Sequence, residues 1–469
     1  MTFSSDYQQN KKEFKKALRI DQSFDLISKE TMVGGHHACF FFVDGLTKDE
    51  VMQKLLTGFI AIKPEDMPEN ADEFSTRQLP YIEVDVVSSM DQAVTSVLSG
   101  MTGLLIDGYD SILCMDVRTY PARSVDQPEK EKVLRGSKDG FVETVVFNTA
   151  LIRRRIRDPR LTMEICSVGS YSHTDVVLVY MEDKVDRHLL AYIREKISNI
   201  NAQSLNMNQT SLAECLYERK WYNPFPKYKY TERPDTSAAS IMEGSLVILV
   251  DNSPSAIILP TSLFGIMEEA DDYYLPPVTG SYLRLTRLLI STITFFITPV
   301  FLLLTMYPEW VPDWLSFIVL KEYTNVPLLF QFLILEIAID GLRLAAINTP
   351  SMLSTPLSII AGLALGEYAV SSGWFNAEAM LYMAFVALAN YTQPSYELGY
   401  ALKFFRMITL ILTGLLGIWG LLLGTLILIF ALLTNHTIDG QRRYLYPLIP
   451  FDWKVLKRQL LRLGRDEHS

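Results

Sequence analysis

The chain has 469 residues, a length that corresponds to two to four domains. It carries 43 Lys and Arg against 53 Asp and Glu residues, a net charge of −10, which gives no basic face for nucleic-acid binding. Residues up to Arg287 are charged throughout, whereas residues 288–402 contain only two basic side chains, Lys321 and Arg343. This uneven composition predicts an integral membrane protein, in which an acidic domain precedes a set of membrane helices.

The first 20 residues are polar and lack the apolar core of a secretory signal, so we expect the first domain to remain in the cytoplasm. The four cysteines are scattered through the N-terminal half without a CxxC spacing. We therefore expect them to be buried small side chains rather than disulfides or zinc ligands. They are Cys39, Cys114, Cys166 and Cys215.

The N-terminal half contains an internal repeat, because residues 96–111 align without a gap to residues 240–255. Each copy predicts a helix that ends at a glycine, a buried strand, a turn that begins with Asp, and a second strand. An apolar strand followed by a helix precedes each copy. These upstream elements are 40–44 with 48–56, and 177–181 with 186–197. The pattern predicts two duplicated α/β subdomains, each a small sheet packed by helices.

The predicted fold class is thus α/β at the N-terminus, followed by an all-α transmembrane helix bundle. The predicted organisation is an N-terminal tail at 1–22, a first α/β subdomain at 23–125, a helical connector at 126–159, a second α/β subdomain at 160–283, a transmembrane helical domain at 284–438 and a basic cytoplasmic tail at 439–469. The connector ends in the run Arg153, Arg154 and Arg155. This run is interpreted either as a contact for a partner protein or lipid headgroup, or as a solvated helix face.

Two segments are long and uncharged enough to cross a membrane. Residues 288–308 form an uncharged stretch of 21 residues, and residues 407–434 one of 28, against the ~20 residues that a bilayer requires. The second stretch contains a glycine series that lets another helix approach closely, unless the glycines are only tolerated on a lipid-facing surface. The series is Gly414, Gly417, Gly420 and Gly424.

The apolar segments between these two spans carry charges. Residues 325–347 contain Glu336, Asp340 and Arg343 at i, i+4 and i+7, which places all three near one helix face. A charge at the bilayer centre costs at least ~2.5 kcal/mol, so this face should point to protein or water. Two further segments, 352–370 and 374–392, contain Glu367 and Glu378.

These charges allow two interpretations. In the first, Glu336, Asp340 and Glu367 line a pathway that attracts cations. In the second, Asp340 and Arg343 form a membrane ion pair in a static bundle, and Glu367 and Glu378 lie at the membrane surface. The acidic bias argues against an anion pathway.

Basic residues near the spans indicate their orientation. Arg284 and Arg287 precede the first span and the C-terminal tail is also basic, which places both ends of the chain in the cytoplasm. Two cytoplasmic ends need an even number of crossings, but five apolar segments are present. The segment 352–370, which is preceded by Pro350 and interrupted by Pro356, is therefore the candidate for a re-entrant or interfacial segment.

No recognisable catalytic motif is present: GxxxxGK[ST], GxGxxG, HExxH and GxSxG are all absent from the sequence. His36 and His37 are adjacent, and adjacent side chains on a strand point to opposite faces, so a shared metal is not expected. We predict no catalytic residue, no metal, no cofactor and no enzymatic activity.

Several long stretches carry a resemblance to a known family. They are residues 134–143, 148–156, 224–226, 231–235, 271–276, 348–350 and 362–370. In this order they resemble the A subunits of the GerA family of spore germination receptors, over nearly the whole chain. Three more stretches are most similar to the SpoVAF branch of that family, named for stage V sporulation protein AF. These are residues 273–280, 404–417 and 446–453.

The resemblance implies a multi-pass protein of the spore inner membrane whose N-terminal domain and C-terminal tail face the cytoplasm or spore core. It implies a homo-oligomer, a pentamer by family resemblance, that conducts monovalent cations and amplifies the germination signal. It also implies a small membrane partner protein and other germination proteins as partners, and no nucleic acid. The alternative is a non-conducting receptor or scaffold subunit of a nutrient germinant receptor complex. A secondary transporter would need an inverted repeat in the membrane half, and none is recognisable there.

Overall fold

The structure, a computed structural model, describes most of the chain. The described residues are 2–4, 6–79, 83–118, 131–133, 135–217, 222–318, 320, 324–348 and 362–462. They form two compact units. The first consists of Met1–Glu218 with Tyr228–Pro260, and the second of Arg219–Lys227 with Thr261–Ser469.

The first sheet of the N-terminal unit has five strands in the order β1-β2-β4-β5-β3. Its strands are β1 Leu26–Val33, β2 His36–Val43, β3 Val84–Val87, β4 Thr102–Ile106 and β5 Ile112–Met115. Its helices are α1 Tyr7–Leu18, α2 Asp49–Ile60, α3 Ala71–Gln78 and α4 Met90–Leu98. Every residue of β4 is buried, as an uninterrupted apolar run at the centre of a sheet requires.

The second sheet has the equivalent order, β6-β7-β9-β10-β8. Its strands are β6 Leu161–Val168, β7 Thr174–Met181, β8 Lys229–Thr231, β9 Leu246–Val250 and β10 Ala256–Leu259. The helices of this part are α5 Val145–Arg155, α6 Arg187–Ser198, α7 Gln209–Leu216 and α8 Pro234–Met242. All strand pairs in both sheets are antiparallel.

The order of elements predicted for residues 96–111 and 240–255 is confirmed. α4 and α8 are each followed by a glycine and then by a central strand. Gly100 and Gly244 have φ angles of +100° and +103°, a conformation that L residues with a side chain rarely adopt. Each glycine therefore ends its helix, and β4 and β9 follow at once.

Three expectations for the N-terminal unit are wrong. Residues 1–22 do not form a simple tail, because α1 packs Phe14 into the core with its ring 4.9 Å from that of Phe41. In the predicted connector, the helix covers only Val145–Arg155, and residues 135–144 are not helical. Two of the four cysteines are not buried, since Cys166 is half-buried and Cys215 is exposed.

Cys39 and Cys114 do lie in the core, and burial raises the pKa of the Cys114 thiol to about 12. A thiol with so high a pKa remains protonated and unreactive at neutral pH. The prediction of small buried side chains is therefore confirmed for these two residues.

The second unit is helical. Its helices are α9 Leu263–Met267, α10 Asp271–Tyr274, α11 Pro277–Met306, α12 Leu328–Asn348, α13 Ala369–Ser371, α14 Ala377–Asn390, α15 Tyr396–Leu416, α16 Ile418–Leu433 and α17 Trp453–Leu460. A π-helical turn, Leu363–Tyr368, leads into α13. Among the described residues, α11 and α15 are long and apolar enough to cross a membrane, and α14 and α16 are shorter apolar helices. Residues 261–283 belong to this unit, whereas the sequence assigned them to the second subdomain.

The uncharged stretch 407–434 is not a single span. The chain turns at Gly417, whose φ is +59°, and the stretch is divided between α15 and α16. The two helices pack against each other through two glycines. A Cβ at Gly420 would lie 1.9 Å from the Leu412 carbonyl oxygen, and one at Gly424 would lie 2.5 Å from Thr409 Oγ1. The predicted close approach at these glycines is confirmed, with the neighbouring helix of the same chain as the partner.

This packing predicts that Gly420→Ala destabilises the helical unit, because the added methyl would collide with backbone atoms that cannot rotate away. Overpacking of this kind costs about 1 to 3 kcal/mol. The matched control is Gly341→Ala in α12, where a Cβ would meet nothing within 4 Å and where alanine favours the helix. Thermal unfolding of the two purified variants should show a lower midpoint for Gly420→Ala only. Equal midpoints would contradict the tight packing of α15 on α16.

Candidate ion-pathway site in the helical unit

Four charged side chains meet between α12 and α15, and we call them the charge cluster: Glu336, Asp340, Lys403 and Arg406. Glu336 and Asp340 lie one turn apart on α12, and Lys403 and Arg406 lie three residues apart on α15, so each pair shares one helix face. Arg406 donates from Nε at 2.9 Å and from Nη2 at 2.5 Å to Glu336 Oε1. Lys403 Nζ lies 3.2 Å from Glu336 Oε2 and 2.5 Å from Asp340 Oδ2.

The charge cluster is buried and formally neutral. The side chains of Glu336, Lys403 and Arg406 are at most 5% exposed, whereas that of Asp340 is 32% exposed. Burial of an unpaired charge is strongly unfavourable, so two acids and two bases in contact are the arrangement that apolar surroundings permit. Arg406 also donates to the Thr294 carbonyl at 3.3 Å. Its guanidinium therefore links α11, α12 and α15.

The predicted ion pair between Asp340 and Arg343 does not form. Asp340 accepts a hydrogen bond from Lys403, and the Arg343 guanidinium lies over the rings of Tyr391 and Tyr400 at 4.9 and 5.4 Å. Lys403 is the better partner because it reaches both carboxylates of α12 at once. Arg343 then gains cation–π contacts at the junction of α14 and α15.

The three predicted pathway residues are not in one place. Glu336 and Asp340 belong to the charge cluster, whereas Glu367 is exposed within the π-helical turn before α13. No ion pair or hydrogen bond among the described residues joins Glu367 to the cluster. Glu378 is half-buried in the first turn of α14. Pro350 and Pro356, which mark the segment predicted to be re-entrant or interfacial, lie outside the described residues.

α12 is packed unequally along its length. All of its buried residues lie in the first half, up to Glu336, while Ile337, Leu344 and Ile347 in the second half are 61–74% exposed. Gln331 holds the first half in place, since its amide donates to Asn376 Oδ1 at 2.7 Å and accepts from the Asn376 N–H at 2.9 Å. Asp340 lies just beyond this boundary. It is thus the most exposed member of the charge cluster.

Arg284 and Arg287, which were used to predict the orientation of the first span, lie within α11 and are paired. Arg287 donates to both carboxylate oxygens of Asp272, at 3.0 and 3.2 Å, and to Glu269 at 2.6 Å. Asp272 has no exposed surface. Carboxylates of the helical unit itself neutralise Arg287. Arg287 is therefore weaker evidence for the orientation of the first span than the sequence indicated.

The three arginines at the end of α5 lie in three different environments. Arg153 is 0% exposed and donates to Asp25 at 2.8 and 3.1 Å. Arg155 is half-buried and paired with Asp139, and Arg154 is exposed. Arg153 therefore neither contacts a partner nor forms a solvated face, because all of its hydrogen bonds are made inside the N-terminal unit.

Lys403, Arg406 and Asp272 were not among the site residues predicted from the sequence. Lys403 and Arg406 carry a signal in their spacing: two bases lie three residues apart in the middle of an apolar helix, and two acids lie four residues apart on another helix. Among the described residues, no group of three or more His, Cys, Asp or Glu side chains is placed to hold a metal ion.

Comparison with known proteins identifies the family. The sequence model described as Bacillus/Clostridium GerA spore germination protein matches residues 12–468. The chain belongs to the GerA family.

This GerA-family chain is 36% identical to stage V sporulation protein AF of Bacillus subtilis (strain 168), over 97% of this chain and 92% of that protein. It is 27% identical to spore germination protein A1 of the same strain, over 95% and 92% of the two chains. The crystal structure of the N-terminal domain of the A subunit of the Bacillus megaterium spore germinant receptor GerK3 is also similar. The match covers 55% of this chain and 96% of the GerK3 chain, with a TM-score of 0.43 and 22% identity. The predicted resemblance to the GerA family and to stage V sporulation protein AF is confirmed.

Proposed function

We propose that this GerA-family chain is a subunit of an oligomeric membrane channel that releases monovalent cations during spore germination. The observation that carries the proposal is the charge cluster among apolar helices, because ionisable side chains at membrane depth are costly and typically belong to ion pathways. The relatives of this chain are named as sporulation and germination proteins, which supports a role in germination. No catalytic role is proposed.

The residues have different parts in this proposal. Glu336 is held by Lys403 and Arg406 and acts as a buried counter-ion that fixes α12 against α15. Asp340, with one-third of its side chain exposed, is the pathway residue. Glu367, exposed before α13, is a second acidic group for the pathway.

The second half of α12 supports assembly into an oligomer. This half exposes large apolar side chains and also carries Asp340 and Arg343, a mixture that suits contact with another subunit or water better than contact with lipid. A homo-oligomer, a pentamer by family resemblance, would bring the second halves of several α12 helices together.

The shared strand order of the two sheets in the N-terminal unit supports an origin of its two parts by duplication.

The proposed location is the spore inner membrane, crossed several times, with the N-terminal unit and the tail on the cytoplasmic or spore-core side. The proposed partners are a small membrane protein and other germination proteins. The family resemblance supports both proposals.

The test is cation flux from liposomes that contain the full-length protein, alone and with candidate membrane partners. Asp340→Asn should lower K⁺ or Na⁺ flux about tenfold, because a charged lining concentrates counter-ions near it. The matched control is Glu309→Gln, an exposed carboxylate after α11. Both variants should keep the oligomer size of the wild type.

The alternative, a non-conducting receptor or scaffold subunit, is favoured by the neutrality of the charge cluster, in which every member is paired. It predicts no flux from a well-assembled wild-type oligomer under any condition. Flux that is equal in wild type and Asp340→Asn would instead retain the channel and remove Asp340 from its lining.

A further inference from the structure

The segment that follows α16 presents an exposed surface of mixed character, which we call the tail patch. Its apolar members Leu448, Ile449, Phe451 and Trp453 are between 43% and 68% exposed. Its basic members are Lys454, Lys457 and Arg458, all exposed. Large apolar side chains are thus uncovered directly beside a group of positive charges.

α17 carries the basic side chains of the tail patch on one face and a buried side chain on another. At 100° per residue, Trp453, Lys457, Lys454 and Arg458 fall within about 140° of the helix circumference. Leu456, which is 7% exposed, lies on the opposite side and packs inward. The helix therefore presents one outward face, with a tryptophan at its edge and three bases beside it.

The tail patch is held beside the first turns of α11. Arg284 Nη1 donates to the carbonyl oxygens of Arg458 and Gln459, at 3.0 and 3.2 Å, and Ser281 Oγ accepts from the Arg462 N–H at 2.9 Å. The uncharged stretch of α11 begins at Leu288, about 6 Å along the helix from Arg284. α17 is therefore anchored where α11 would emerge from the hydrocarbon, the level at which tryptophan and basic side chains are favoured.

The positive charges of this region have no counter-ion among those of residues 2–462 that the structure describes. Within the part of the chain that the structure describes, Lys454, Lys457 and Arg458 form no ion pair, and neither do the exposed Arg442 and Arg443. This distinguishes them from Arg284 and the other paired bases near α11. Anionic headgroups would satisfy such a group of bases, and the adjacent apolar side chains can enter the acyl boundary.

We propose that the tail patch docks on anionic phospholipid headgroups of the membrane that α11 crosses, and so fixes the C-terminal segment against the bilayer. The inference is independent of ion conduction, since it needs only that the helical unit lies in a membrane. A second copy of this chain is the competing occupant, and the test distinguishes the two.

The experiment uses the full-length protein in nanodiscs whose phosphatidylcholine has brominated acyl chains, which quench nearby tryptophan. The discs are prepared with or without phosphatidylglycerol, and the difference between wild type and Trp453→Phe isolates the Trp453 signal. Quenching of Trp453 should be about twofold or more stronger with phosphatidylglycerol. The combined substitution Lys454→Gln, Lys457→Gln and Arg458→Gln should remove this difference.

The matched control removes three exposed lysines from the N-terminal unit: Lys29→Gln, Lys54→Gln and Lys138→Gln. It has the same change in net charge and should keep the wild-type quenching. Equal quenching with and without phosphatidylglycerol would overturn recognition of anionic headgroups. Absence of Trp453 quenching in both lipids would overturn membrane docking and point to a protein surface, such as a second copy, as the cover.

Discussion

Replacing Arg406 by leucine should destabilise the helical unit by about 3 to 5 kcal/mol, the usual cost when one partner of a buried ion pair is removed. Glu336 would lose both guanidinium hydrogen bonds in a site where its side chain is 3% exposed. Lys403 alone would then remain to balance Glu336 and Asp340. A lower midpoint of thermal unfolding and less assembled protein in detergent should report this loss.

The control for this prediction is the double variant Glu336→Gln with Arg406→Gln, which removes both charges and leaves Lys403 with Asp340. Because no buried charge is then left without a partner, we expect it to recover at least half of the stability that Arg406→Leu loses. A double variant that is less stable than Arg406→Leu would contradict the pairing. The result bears on flux experiments too, because a loss of flux in a Glu336 variant is expected from the loss of this buried ion pair alone.

The second large effect is expected at Arg153. Arg153→Leu should cost the N-terminal unit about 3 to 5 kcal/mol, because it leaves the Asp25 carboxylate, 1% exposed, without a cationic partner. Arg153 also donates to the Leu161 carbonyl and to Ser23 Oγ. Hydrogen exchange in the full-length protein should show faster exchange across β1 and β6.

Arg154→Leu, one residue away, is the matched control. It removes the same charge from the same helix at an exposed position, and surface substitutions of this kind usually change stability by less than about 0.5 kcal/mol. Similar exchange rates in the two variants would show that Arg153 is not a structural link. A defect of assembly without any change in exchange for Arg154→Leu would assign the contact role to the exposed member of the run.

The sequence was sufficient for features that depend on local patterns. The repeat at 96–111 and 240–255 predicted the same elements twice because glycine stops, apolar strands and Asp-led turns are determined by near neighbours. The uncharged stretch from Leu288 likewise predicted a membrane-length helix, and α11 contains all of it except Tyr307 and Pro308. Long motifs in a fixed order were enough to predict the family.

The tertiary structure decided the features that depend on distant partners. An uncharged stretch of 28 residues is compatible with one long helix or with a helical hairpin. The close packing of Gly420 on the Leu412 carbonyl shows that it forms a hairpin of α15 and α16. Asp340 and Arg343 looked like partners by spacing. However, Lys403, 63 residues from Asp340, lies closer in the fold. Arg153 and Asp25 are 128 residues apart in the chain, so only the folded N-terminal unit could show that this arginine faces inward. Local spacing places a charge on a helix face, but the side chain that neutralises it depends on which elements pack together.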